Sequence, residues 1–176
     1  GVAFNNFANV TGGSQDDGFT VNFGASVSGT LSGGAGGNDT VLFNGDATGN
    51  TIDVNSAVAD TIDVDGNSTL IANIDAVTID ALGGDDAITA APSTDYTVSV
   101  DGGAEAAADT FDLDTAPLSD SPTLTPTADG SATFSFPDDP TYMNVDYADV
   151  ETLTLSGPHA TFDMAILLAT FGDDLT

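Results

Sequence analysis

Short alternations of apolar and polar residues run along most of the chain. Phe19-Thr20-Val21-Asn22-Phe23 puts three large apolar side chains on one face of a period-2 strand. From Asp39 the rhythm becomes regular, with i, i+2 pairs at Val41 and Phe43, Ile52 and Val54, Ile62 and Val64, Val77 and Ile79, Val98 and Val100, and Phe111 and Leu113. Each pair predicts one short strand, the pair facing inward and Thr or Asp facing outward. Ala25 to Leu31 alternates more weakly, and Ala132 to Phe136 reads as a further strand through Phe134 and Phe136. Gly, Asn, Asp and Ser fill the intervals, and these residues tolerate left-handed turn conformations. Strands this short cannot close a core alone, so they are expected to stack.

The turns repeat as well. Ser32 to Phe43 runs SGGAGGNDTVLF, a glycine turn, an aspartate and then a strand. Variants follow at Thr11 to Phe19, at Leu82 to Ile88, and at Asp101-Gly102-Gly103 leading to Asp109-Thr110-Phe111. Asn50 to Val54 and Asp60 to Val64 are near copies ten residues apart. Ile74 to Ile79 resembles Val150 to Leu155 at a shift of 76 residues, and Asp39-Thr40-Val41 resembles Asp109-Thr110-Phe111 at a shift of 70. We read residues 1–176 as one domain: a leading partial unit at 1–32, a first unit at 33–100 and a diverged second unit at 101–170. Five prolines between 115 and 142 mark that segment as loop or sheet edge.

Composition narrows the function. Hydrophobic residues make up 40% of the chain, enough to build a core rather than an acidic disordered tail. There is no Lys or Arg, and the formal charge is −28. Phosphate binding needs Lys or Arg, so nucleic acid and anionic membranes are excluded as partners. Self-repulsion of this size must be relieved by spreading the carboxylates or by cations. With no cysteine, disulfides and thiolate metal sites are excluded. No apolar run approaches the length of a membrane span, and no charged-then-apolar leader opens the sequence, so a mature or processed extracellular form without membrane insertion is expected.

The GGAGGNDTV stretch from Gly33 to Val41 resembles the G-G-x-G-x-D-x-U-x repeat of the hemolysin-type (RTX) calcium-binding proteins, with one extra residue before the aspartate. The wider pattern, including Val150-Glu151-Thr152-Leu153-Thr154-Leu155, resembles the tandem modules of very large bacterial surface and secreted proteins. The resemblance spans most of residues 11–165. It implies a parallel β-solenoid, extracellular display and calcium in the turns. The expected fold is therefore all-β, a right-handed parallel β-helix or β-solenoid of short strands, with a β-sandwich as the alternative.

The chemistry expected is sparse. Asp16, Asp17, Asp39, Asp85, Asp86 and Asp109 lie on turns, where they either join backbone carbonyls around Ca2+ or cap backbone amides. Asp138-Asp139 and Asp173-Asp174 are adjacent carboxylate pairs rather than pairs across a cleft, and no Trp is present to stack on sugar. No nucleophile, histidine and acid stand together around the single His159. A polysaccharide-active enzyme is thus the third reading. The first is a non-enzymatic structural protein, the subunit of a surface layer, fibre or filament assembled head to tail. The second is an adhesin, or a glycan- or calcium-binding module of a larger secreted protein. Phe4, Phe7 and the apolar tail with Ile166, Leu167, Leu168 and Phe171 are the expected assembly contacts, with intramolecular capping as their other role. Asn9, Asn38 and Asn67 match the N-glycosylation acceptor pattern.

Overall fold

The computed structural model describes residues 7–55, 60–103, 108–128 and 130–160. Among them there is no helix, and the chain forms two mixed sheets. In chain order the strands are β1 (Val10–Thr11), β2 (Gly18–Val21), β3 (Thr30–Ser32), β4 (Thr40–Asn44), β5 (Thr51–Val54), β6 (Thr61–Val64), β7 (Asn67–Ala72) and β8 (Ala76–Asp80). They continue with β9 (Ala87–Ala90), β10 (Thr97–Asp101), β11 (Thr110–Asp114), β12 (Thr123–Ala128), β13 (Ser131–Ser135), β14 (Val145–Ala148) and β15 (Thr152–Ser156). One sheet has eight strands in the order β1-β3-β7-β6-β5-β9-β11-β15. The other has seven, in the order β12-β13-β14-β10-β8-β4-β2.

The chain passes from one sheet to the other and back. Strands laid down on successive passes become parallel neighbours, as Val41 does between Phe19 and Val77. The apolar pairs thereby line up in columns. Phe19, Val41, Val77, Val98 and Val145 share one register, and Val21, Phe43, Ile79, Val100 and Tyr147 share the next. In the opposite sheet Ile52, Ile88, Phe111 and Leu153 form a column. Most of these side chains are buried in a single core drawn from both sheets. Phe111 shows the sheets facing one another, since its ring lies 5.5 Å from that of Tyr147 and 6.5 Å from that of Phe134. Each such side chain withdrawn from water contributes roughly 1.5–3 kcal/mol.

Antiparallel pairs interrupt this regularity in both sheets, β5-β6-β7 in one and β12-β13-β14 in the other. The near-identical strands β5 and β6 do not lie on successive passes. They pair antiparallel, with Ile52 opposite Val64 and Val54 opposite Ile62. β6 then turns into β7 through Asp65-Gly66, both at positive φ (51° and 79°). That is the geometry of a tight two-residue hairpin, whose twist matches the flanking strands. In the other sheet β12 and β13 pair antiparallel and β12 is the edge strand, which accommodates Pro126. The strands matched by the 70- and 76-residue shifts fall in opposite sheets: β4 against β11, and β8 against β15. Phe23 also departs from the pattern. β2 stops at Val21, the chain turns with the Ala25 amide donating to the Asn22 carbonyl, and the Phe23 side chain is exposed.

Candidate functional site

The residues singled out on the turns come together at the two corners where the chain crosses between sheets. At the first corner, leading from the eight-stranded into the seven-stranded sheet, the loops 12–17, 33–39, 73–75 and 91–96 stack in that order. At the second, the loops 45–50 and 81–86, the described loop residues 102–103 and 108–109, and the loop 149–151 are neighbours in the same way. Turns set apart along the chain are thus adjacent in space, because parallel pairing brings each pass beside the last.

A carboxylate ladder runs along each corner. At the first, the Asp17 amide donates to Asp39 Oδ1 at 2.8 Å, and the Asp39 amide donates to Asp75 Oδ2 at 2.7 Å. At the second, the Asn50 amide donates to Asp86 Oδ1 at 2.6 Å, the Asp86 amide to Asp109 Oδ1 at 2.8 Å, and the Asp109 amide to Glu151 Oε2 at 2.8 Å. Asp39, Asp86 and Asp109 are buried by this arrangement. Asp16 and Asp85 lie outside it and are exposed, though each still accepts from an amide of the neighbouring loop, Asn38 and Ala108 respectively. Every one of these aspartates therefore does cap a backbone amide, Asp17 through Gly13. Each hydrogen bond from a neutral amide to a charged group is worth about 1.5–3 kcal/mol.

Sequence reasoning missed three rungs: Asn50, Asp75 and Glu151. The signal was there, since each directly precedes a Thr or Ala and then an apolar strand residue, as Asp39, Asp86 and Asp109 do. The outer faces hold carboxylates differently, using hydroxyls in place of absent cations. Asp112 accepts from Thr154 and Ser156, and Asp146 from Thr133.

Asp86 is a buried rung of the second ladder. Its Oδ2 is buried and has no hydrogen-bond partner. Burial pushes its pKa up to about 6; the Asn50 amide opposes that rise, while the charges of Asp109, Asp46 and Asp65 add to it. An unfolded aspartate titrates near 3.9. Charging Asp86 therefore costs more in the native state, so its contribution to stability is fullest below about pH 4 and is lost as pH rises through about 6. Stability is expected to rise on acidification from about pH 7 to about pH 5, and Asp86→Asn is expected to flatten part of that rise. Urea midpoints across that range check this, and an unchanged pH dependence in the variant would contradict it.

The other expected residues are scattered. Phe7 is exposed, whereas Phe4, Ile166, Leu167, Leu168 and Phe171 lie outside the described residues. Asn9 and Asn38 are exposed, with Asn9 Oδ1 accepting from the Thr30 amide. Asn67 is half-buried and donates to the Val64 carbonyl, and Thr69 of its acceptor pattern is fully buried. Asp139 accepts from the amides of Ser119 and Asp120, holding that loop, while Asp173 and Asp174 lie outside the described residues. Among the described residues no three acidic or histidine groups converge as a metal site.

No known protein-family model matches the chain, and no curated protein sequence matches it significantly.

Proposed function

We propose that this protein is a non-enzymatic extracellular structural subunit, a right-handed β-solenoid whose copies join end to end into a fibre or surface layer. The observation that carries the reading is the end of the eight-stranded sheet. β15 pairs in parallel with β11 and is the last strand of that sheet among the described residues. Its Leu153 and Leu155 continue the columns of Phe111 and Leu113, yet they are only half-buried where Phe111 and Leu113 are completely buried. Among the described residues an apolar column and a row of strand amides stop there, which is a template for another strand. At the other end, Phe19 of β2 is half-buried in the same way. Right-handedness follows from the rule for parallel strands joined by crossovers. The outward faces of Asp, Thr and Ser, without Lys or Arg, suit display in an extracellular medium where cations screen the charge.

Negative-stain electron microscopy of the purified protein, with and without chelator, tests the reading. Filaments or sheets are expected, and Leu155→Glu on the open edge is expected to abolish them while leaving the strand signal in circular dichroism. A wild-type protein that stays monomeric at high concentration with calcium present would contradict it.

A second reading, a calcium-binding module of a larger secreted protein, is favoured by Asp86, whose buried Oδ2 would gain a partner from a cation. Extracellular modules of that kind bind calcium at about 10⁻⁴–10⁻³ M. Calorimetry with calcium after chelation separates the two readings. Heat together with a raised melting temperature supports the module, and no heat removes it.

A further inference from the structure

The first corner is not even along its length. Seven residues connect β3 to β4, three connect β7 to β8, and six connect β9 to β10. The short middle connection is recessed between two longer loops. The recess is a groove of about 720 Å³ with Asp39, Asp60, Asp75, Asp95 and Tyr96 on its walls and Ile71 among its apolar lining. A second cavity of about 490 Å³ shares Asp60 and Asp95 and extends toward Asp114.

Tyr96 occupies the position that Asp39 and Asp75 hold on the two preceding passes, since Thr97 pairs with Ala76 and Tyr96 therefore stands beside Asp75. It is 2% exposed, and its hydroxyl has no hydrogen-bond partner. Ser93 lies near enough to ease the rise in its pKa but outside hydrogen-bonding geometry. Burial and then the charge of Asp60 produce that rise, while Asp60 is itself raised by burial and then by Asp95. These groups therefore act on one another at short range, and the chain has no Lys or Arg to offset them. A buried hydroxyl left unpaired costs about 1–3 kcal/mol unless something from outside completes it.

We propose that this groove binds an extended organic cation through its alkylammonium groups. Asp60, Asp75 and Asp95 oppose its charge, the Tyr96 hydroxyl accepts a hydrogen bond from an ammonium N–H, and the alkyl chain lies along Ile71. A bare metal ion fits less well, because the space is that of a small-molecule site and no three acidic groups converge in it. The ammonium groups come either from a free polyamine or from lysine side chains of a basic partner.

Calorimetry with spermidine and with trilysine, in about 0.15 M salt to screen diffuse attraction, tests the site. Saturable binding at one site is expected for at least one of the two probes. Spermidine alone identifies a polyamine, and trilysine alone identifies a basic partner. Asp60→Asn and Tyr96→Phe are each expected to weaken that binding about tenfold, or about 1.4 kcal/mol. Asp112→Asn on the outer face should change it less than about twofold, because Asp112 does not line the groove. Asp60→Asn is the decisive variant if Tyr96→Phe lowers the melting temperature. No saturable heat from either probe, an equal loss from Asp112→Asn, or full displacement by equimolar calcium would each overturn the proposal.

Discussion

Phe111→Ala is expected to cost about 3–5 kcal/mol, a large share of the roughly 5–15 kcal/mol that holds a domain of this size together. Phe111 is completely buried in β11, at the place where the two sheets meet. Its ring packs against Phe134 and Tyr147 from the opposite sheet, and its backbone lies between Ile88 and Leu153. The hole left by alanine cannot collapse, because β9 and β15 fix β11 on both sides. Leu70→Ala on the exposed face of β7 is the control, with an expected change within about 0.5 kcal/mol. Urea denaturation of both variants measures the difference, and equal losses would show that the core does not lie between the sheets.

Gly33→Ala is expected to destabilise by about 3 kcal/mol, at the upper end of overpacking. Gly33 opens the loop that carries Asp39. A Cβ there would lie 2.1 Å from the Asn73 carbonyl oxygen and 2.5 Å from Asp39 Cβ. The first of those atoms is backbone of the neighbouring pass, so relief requires the two passes to move apart. Gly24→Ala separates this cause from backbone strain. Gly24 has φ +72° and nothing within 4 Å of the added carbon, so it pays only the left-handed penalty of about 1 kcal/mol. Thermal denaturation ranks the two, and a Gly33 variant no worse than the Gly24 variant would mean the corner loops are not in contact.

Much of this was legible in the residues. The inward pairs were legible because period-2 alternation is local, and every pair from Val41 and Phe43 to Phe111 and Leu113 lies in a strand. The turn aspartates were legible because glycine beside an acid has few other uses. The sheet to which each strand belongs was not legible, since apolar pairs such as Ile52 and Val54 or Val77 and Ile79 look alike, and long-range register alone assigns them. The two TIDV segments read as near copies ten residues apart, and nothing local in them told that they pair antiparallel with each other. Asp65-Gly66, two residues between apolar alternations, carried a local hairpin signal for the following turn. The recess at 73–75 was invisible because it comes from the difference in length between loops that only the fold brings together. Tyr96 likewise stood out only once its pass was seen beside Asp75.

The assembly reading and the groove both depend on successive passes of the chain lying parallel and side by side. Interstrand backbone contacts of Val41, followed by NMR in isotopically labelled protein, test that arrangement most directly. Contacts from Val41 to Phe19 on one side and to Val77 on the other, both in parallel register, are the expected result. Contacts from Val41 to the following strand at Ile52 to Val54, in antiparallel register, would mean a meander of hairpins and would contradict it.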